Sequence, residues 1–332
     1  MSEQALKYHN MLLGSERKIE SPENGTLVKK SIDNATRKLE ECLRKSSAVV
    51  APNPANGNEL TNGVGEVGTS EIEYIESEKL SDVEDADAAL KAVLAGLESK
   101  DWLLVCDTLN NVRRLALFHK EVMLNMVEDV ITLLVKALKN PRSAVCKTGI
   151  MTSADIFFAY NDELINFLDP LMVQLLLKAS QDKKFVCEAA EKALVAMTSW
   201  VSPALLLPKL KPYLKNRNPR IRAKASMCFC RSVPLLGGEG IKAYGIDELI
   251  QTAASQLSDQ LPESREAART LLLELQTVYE KSPDYVRSSS VSEYLPETSS
   301  WENFCQSKLS PLNAQAVLRV TNLAREALVS SS

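Results

Sequence analysis

From Val83 to Glu280 the apolar positions recur at helical spacing almost without a break. Val122-Met123, Met126-Val127, Val130-Ile131, Leu134 and Leu138 form one i, i+3/i+4 stripe, and Ile165, Leu168, Leu171-Met172 and Leu175-Leu176 form another. Spacing of this kind gathers apolar side chains on one face of a 3.6-residue period and predicts amphipathic helices. Short polar turns interrupt the stripes at Ser99-Lys100-Asp101, Lys139-Asn140-Pro141, Gln181-Asp182-Lys183-Lys184, Lys215-Asn216-Arg217-Asn218-Pro219 and Gln260-Leu261-Pro262-Glu263. After each turn a second helix opens with small residues near its start. Examples are Val145-Cys146-Lys147-Thr148-Gly149, Val186-Cys187-Glu188-Ala189-Ala190 and Ile221-Arg222-Ala223-Lys224-Ala225.

The punctuation returns roughly every 35 to 43 residues. A period near 40 with two helices per unit marks HEAT or armadillo solenoids. One hairpin cannot bury its own apolar face, so neighbours must stack into a continuous core. The expected fold class is all-α, a HEAT/armadillo-type α-solenoid with largely disordered flanks. Five hairpins are predicted, near 82–117, 120–159, 162–199, 202–235 and 244–280. The small residues are expected to let the second helices of adjacent hairpins approach closely.

The flanks read differently. Residues 1–81 predict one short helix, about 27–45, followed by a tract rich in Asn, Gly, Pro and Ser and an acidic run from Glu71 to Asp87. Such composition buries too little apolar surface to offset its ordering entropy, so most of it is expected to be linker. Residues 281–332 turn Ser-rich before an amphipathic segment from Pro311 to Val329, with Ala316-Val317, Val320, Leu323 and Leu328 on one side. That helix is either a terminal cap or a detached interaction element.

Composition narrows the classes. Aromatics make up only 5% of the 332 residues, and Leu and Ala dominate the apolar set, a balance that suits helices better than a sandwich or barrel. The net charge of −4 is too mild to name a partner. The start has no secretory apolar core and no pair of cysteines has C-x-x-C spacing, so a reducing, intracellular setting is expected. The sequons at Asn24 and Asn34 are then accidental. No apolar stretch approaches the roughly 20 residues a membrane helix needs.

Catalytic chemistry finds little support. The histidines are His9 and His119, and neither has a triad or metal partner in the sequence. Gly63-Val64-Gly65-Glu66-Val67-Gly68 matches G-x-G-x-x-G, but no strand precedes it and an acidic run follows, which excludes a phosphate cradle. The cysteines lie in apolar helical surroundings, except Cys42 and Cys305. Cys106, Cys146, Cys187 and Cys228 are spaced by 40, 41 and 41 residues. Stacked units place like positions on the order of 10 Å apart, too far to share a metal. These thiols are read as small buried residues. No catalytic residue, cofactor or metal is assigned.

Charge in the turns is more informative. Turns within successive hairpins align along one edge of a solenoid. Here they are basic, with Lys139, Arg142 and Lys147, then Lys183 and Lys184, then Arg217, Arg220, Arg222 and Lys224, then Arg265 and Arg269. Trp102 follows the first turn directly. An indole at a hairpin tip beside a row of cations has the make-up of a binding anchor with an electrostatic rim. The alternative is that Trp102 folds into the core and that Arg222 and Arg265 bond inside the solenoid.

The run Asp101-Trp102, Asn110-Asn111-Val112-Arg113-Arg114-Leu115-Ala116 and His119-Lys120-Glu121 resembles the opening of a TOG domain. Lys139-Asn140-Pro141-Arg142-Ser143-Ala144-Val145, Lys178-Ala179 with Phe185, and Lys215-Asn216-Arg217-Asn218-Pro219-Arg220-Ile221-Arg222 continue the likeness, nearest to the CLASP and crescerin branch. It covers about Val83 to Glu280. The resemblance implies a flat HEAT paddle whose turn edge grips αβ-tubulin or microtubules, in the cytoplasm and on the cytoskeleton. By position, the implied contacts are Trp102, Arg142, Ser143, Lys183, Lys184, Arg217, Arg220 and Arg265. The sequence departs from the family in showing no sixth HEAT unit after Pro283, and the usual apolar contact of the second turn would be Pro141 or Ala144. Self-association through the flanking helices would raise avidity. Neither nucleic acid nor membrane is an expected partner, since the chain is acidic overall and lacks stacking platforms. The competing reading is a HEAT adaptor for another protein complex.

Overall fold

The computed structural model describes residues 74–282 and 300–329. The helix expected near 27–45, the glycine motif, His9 and Cys42 lie outside the described residues. Among those described, helices are numbered in chain order. Helix α1 (Ala86–Leu97) turns into α2 (Trp102–Phe118), α3 (Val127–Lys139) into α4 (Ser143–Tyr160), and α5 (Leu168–Lys178) into α6 (Lys184–Trp200). The fourth hairpin joins α7 (Pro203–Leu210), prolonged by a 3-10 segment over Lys211–Lys215, to α8 (Pro219–Ser232). A short helix α9 (Gly237–Tyr244) leads to the fifth, α10 (Ile246–Gln256) and α11 (Pro262–Lys281). All five predicted hairpins are thus present.

The hairpins turn tightly because short polar side chains organise the turn backbone. Ser99 Oγ accepts from Asp101 N–H at 3.0 Å, Asn140 Oδ1 from Arg142 N–H at 2.9 Å, Asn216 Oδ1 from Asn218 N–H at 2.9 Å and Asp259 Oδ1 from Leu261 N–H at 3.1 Å. Each is a side-chain turn two residues long, the local alternative to continued helix. Asp101 and Asn218 then cap α2 and α8 through the N–H groups of Leu103 and Arg220. Proline opens α7, α8 and α11, where its missing N–H costs nothing.

Two layers result. Helices α1, α3 and α5 pack side by side, and α2, α4, α6, α8 and α11 form a second, continuous layer. Between them lie Leu109, Val112, Leu134, Leu138, Ile150, Leu175 and Met197, all fully buried. Each such side chain contributes about 1.5–3 kcal/mol of hydrophobic stabilisation.

Glycines also fit the two helices of a hairpin against each other. A Cβ on Gly149 of α4 would stand 3.0 Å from Leu138 Cδ1 of α3, and one on Gly96 of α1 would stand 2.3 Å from Thr108 Oγ1 of α2. Two of the repeating cysteines act at the same joint. Cys146 Sγ donates to Leu138 O at 3.4 Å and Cys187 Sγ to Ala179 O at 2.9 Å, each tying a second helix to the end of its first.

Packing begins upstream of residue 82. The lead-in segment of residues 74–82, with a 3-10 turn at Ser77–Lys79, runs over α2 and α4. Arg113 of α2 and Asp155 of α4 form a fully buried ion pair at 2.6 Å. Arg113 Nη1 also donates to Ile75 O at 2.7 Å, Ser77 Oγ donates to Asp155 at 2.6 Å, and Leu80 is buried. His119 at the end of α2 takes a structural contact. Its Nε2 lies 2.7 Å from Asp82 Oδ1 and fastens the far end of the lead-in to the end of α2.

A sixth helical pair, not evident in the sequence after Pro283, is also present. Helix α12 (Ser300–Lys308) and α13 (Pro311–Val329) pack on each other, and α13 lies against both α10 and α11. Trp301 is buried beside Tyr279 and Phe304, with ring centroids 5.3 and 5.7 Å away, and its Nε1 donates to Thr321 at 3.4 Å. Cys305, expected outside apolar surroundings, is fully buried in this cluster. The segment after Pro311 is therefore a terminal cap.

Candidate protein-binding edge

Consecutive turns touch one another, and the contacts recur about one repeat apart. The Arg142 guanidinium lies 5.1 Å from the Trp102 ring centroid, joining the second turn to the first. Lys183 Nζ donates to Ser143 Oγ at 3.2 Å, joining the third to the second. Arg220 Nη1 meets Asp182 Oδ1 at 2.5 Å, and Arg222 Nε meets Asp259 Oδ2 at 2.6 Å, which joins the third, fourth and fifth. The five turns form one row.

Trp102 is half-buried at the first position of α2, so its ring is neither in the core nor wholly in water. Arg142 and Lys183 are exposed. Lys184 is exposed and stands 3.9 Å from Glu188 one helical turn on. Arg217 is exposed, and its carbonyl accepts from Arg222. Arg265 turns inward, with Nη1 donating to Asp259 O at 2.7 Å and Gln260 O at 2.9 Å. Arg222 does the same for Asn216 O at 2.8 Å. These two arginines hold their own turns, as the alternative reading allowed.

The sixth pair does not lengthen the row. Its joint sits on the N-terminal half of α10, where Lys308 Nζ is 2.8 Å from Asp247 and Lys308 O accepts from Gln251 at 3.2 Å. The fifth turn lies at the other end of that helix. Between the fourth and fifth turns is an open notch of about 480 Å³ lined by Lys215, Arg222, Ser255 and Asp259. Behind it, buried Gln256 accepts from Ser226 Oγ at 2.9 Å and Ser264 Oγ at 3.2 Å, tying α8, α10 and α11.

Some members of the edge carried no usable sequence signal. Asp182 and Asp259 look like ordinary turn residues until their arginines are seen. Tyr74 lies in a stretch expected to be linker, yet Lys147 Nζ stands 3.7 Å from its ring centroid. Phe185, 43% exposed just after the third turn, has its ring centroid 6.0 Å from the same ammonium.

Among the described residues, no group of His, Cys, Asp or Glu is placed to hold a metal ion. Burial pushes the Cys228 thiol up to about 12, and burial with nearby Glu302 does the same to Cys305. Thiols so shifted are poor nucleophiles at neutral pH. No described helix is long and apolar enough to cross a membrane.

Comparison with known proteins agrees with this geometry. Residues 114–293 match the family described as CLASP N terminal. The mouse protein "TOG array regulator of axonemal microtubules protein 1" is 29% identical over 210 residues, 61% of this chain and 12% of the relative. Its human counterpart is 30% identical over 136 residues, 41% of this chain and 8% of the relative. The chain thus spans about an eighth or less of these relatives. Among solved structures, the MAST/Orbit N-terminal domain superposes with a TM-score of 0.50 at 12% identity, covering 74% of this chain and 99% of that one. The TOG domain of C. elegans Zyg9 also reaches 0.50, at 14% identity, covering 88% and 96%. Matched over more than half its length by that family, and folded as a paired-helix solenoid like these domains, the chain belongs to the CLASP N-terminal family of TOG-domain proteins.

Proposed function

We propose that this protein is a microtubule-associated protein that binds αβ-tubulin through its row of turns. The observation that carries the reading is the Trp102–Arg142 pair, a half-exposed indole with a guanidinium over its face, at the head of five contiguous turns. Trp and Arg dominate protein-binding hot spots because they combine large area with directed polar contacts. Arg142, Lys183 and Arg217 are exposed along the same row, and cations so placed suit an acidic partner such as tubulin. The relatives named for axonemal microtubules support the same partner. The protein would act in the cytoplasm on the cytoskeleton, without cofactor, nucleic acid or membrane. Self-association through helices outside the five hairpins would strengthen a weak single-domain contact by avidity.

Size-exclusion chromatography of the full chain with unpolymerised tubulin at low salt tests the proposal. Co-elution is expected, with Trp102→Ala weakening it by about tenfold or more. If the folded wild-type chain neither co-elutes with tubulin nor sediments with microtubules, the tubulin reading fails, and a HEAT adaptor for another complex takes its place.

A further inference from the structure

The cations along the edge are held in two different ways. Toward the C-terminal end they are matched internally: Arg220 by Asp182, Arg222 by Asp259 and Lys224 by Glu191 at 2.5 Å. Arg265 faces carbonyl oxygens of its own turn. Toward the N-terminal end Lys184 stands 3.9 Å from Glu188, but three other cations have uncharged partners. Arg142 rests on the Trp102 ring, Lys183 on the Ser143 hydroxyl, and Lys147 between the rings of Tyr74 and Phe185. None of these three is ion-paired among the described residues, and in the fourth turn Lys215 and Arg217 share that state.

The difference has an electrostatic consequence. A carboxylate within 3 Å cancels most of a cation's field and must be displaced or shared before an outside anion can bind. An aromatic face or a hydroxyl orients the cation and leaves its charge whole. Side chains already held in place also lose less entropy on binding.

Resting on the tubulin reading above, we infer that the acidic groups of the partner are received mainly by the first three turns. The contact turns the corner from Trp102 and Arg142 onto Lys147 and Phe185, and the lead-in segment completes the site by supplying Tyr74. Phe185 offers an exposed apolar face beside Lys147, Lys183 and Lys184. The complementary partner surface is an acidic segment carrying an apolar side chain. Tyr74 is a positioning residue that acts through Lys147.

Titration of full-length protein against unpolymerised tubulin, with single and paired substitutions, tests this assignment. Arg142→Gln and Lys147→Gln are each expected to weaken binding by about tenfold and to flatten its salt dependence, whereas Arg220→Gln, whose charge is already matched by Asp182, should cost several-fold less. Tyr74→Leu should weaken binding in the wild-type background and add nothing to Lys147→Gln, a coupling that general destabilisation does not produce. Tyr74→Phe keeps the ring and should bind as wild type, which holds the test open if Tyr74→Leu misfolds. Equal losses for Arg220→Gln and Lys147→Gln, or additive losses for Tyr74→Leu and Lys147→Gln, would overturn the assignment while leaving the tubulin reading intact. Failure of the wild-type chain to bind overturns both.

Discussion

Cys228 and Cys305 show how burial sets the chemistry of a side chain. Both thiols are pushed up to about 12. The folded chain therefore keeps protons there that the unfolded chain releases from about pH 9 upward. A raised folded value stabilises fully below the unfolded one and is lost as pH climbs toward the folded one, so stability should be flat up to about pH 9 and then fall. The loss is about 1 kcal/mol per thiol at pH 10. Urea midpoints at pH 8 and pH 10 check this, and Cys228→Ala should remove part of the slope. The 40- and 41-residue cysteine spacing was legible from the start. Its job was not, because the acceptors Leu138 O and Ala179 O are backbone atoms brought near only when the hairpin closes.

At the scale of elements, the turns and the lead-in segment divide the credit. Turn positions followed from short polar clusters whose side chains bond the backbone two residues on, an interaction complete within each cluster. The lead-in gave no such signal, because acidic, apolar-poor composition reads as linker wherever nothing receives it. What receives it is Arg113, which takes Ile75 O and Ser77 Oγ while paired to Asp155. Arg113→Leu strands a buried carboxylate and is expected to cost about 3–5 kcal/mol in urea unfolding. The double substitution with Asp155→Leu should recover much of that loss. A loss no larger than a surface substitution's would show that the pair does not join α2, α4 and the lead-in. The terminal pair was hidden for a related reason: α12 is short and weakly patterned, and Trp301 and Cys305 find their apolar setting only against Tyr279.

Across the whole molecule, a chain of net charge −4 presents a basic row, so attraction to an acidic partner is local and must act at short range. Raising salt from 50 to 300 mM should weaken tubulin binding roughly tenfold, as the Debye length shrinks below the spacing between partner charges. Circular dichroism should not change over that range, since the solenoid core is apolar. An unchanged affinity would place the contact on an apolar surface elsewhere. The sequence by itself determined the helix periods, the five hairpins, the turn chemistry and the sign of the edge, because each depends on residues close together in the chain. Only the tertiary structure decided which cations are neutralised and which stand free. It also decided that Tyr74 joins the edge, and that a sixth pair closes the solenoid without extending the row. Those outcomes depend on contacts between residues tens of positions apart, and pairing at that distance is set by packing geometry.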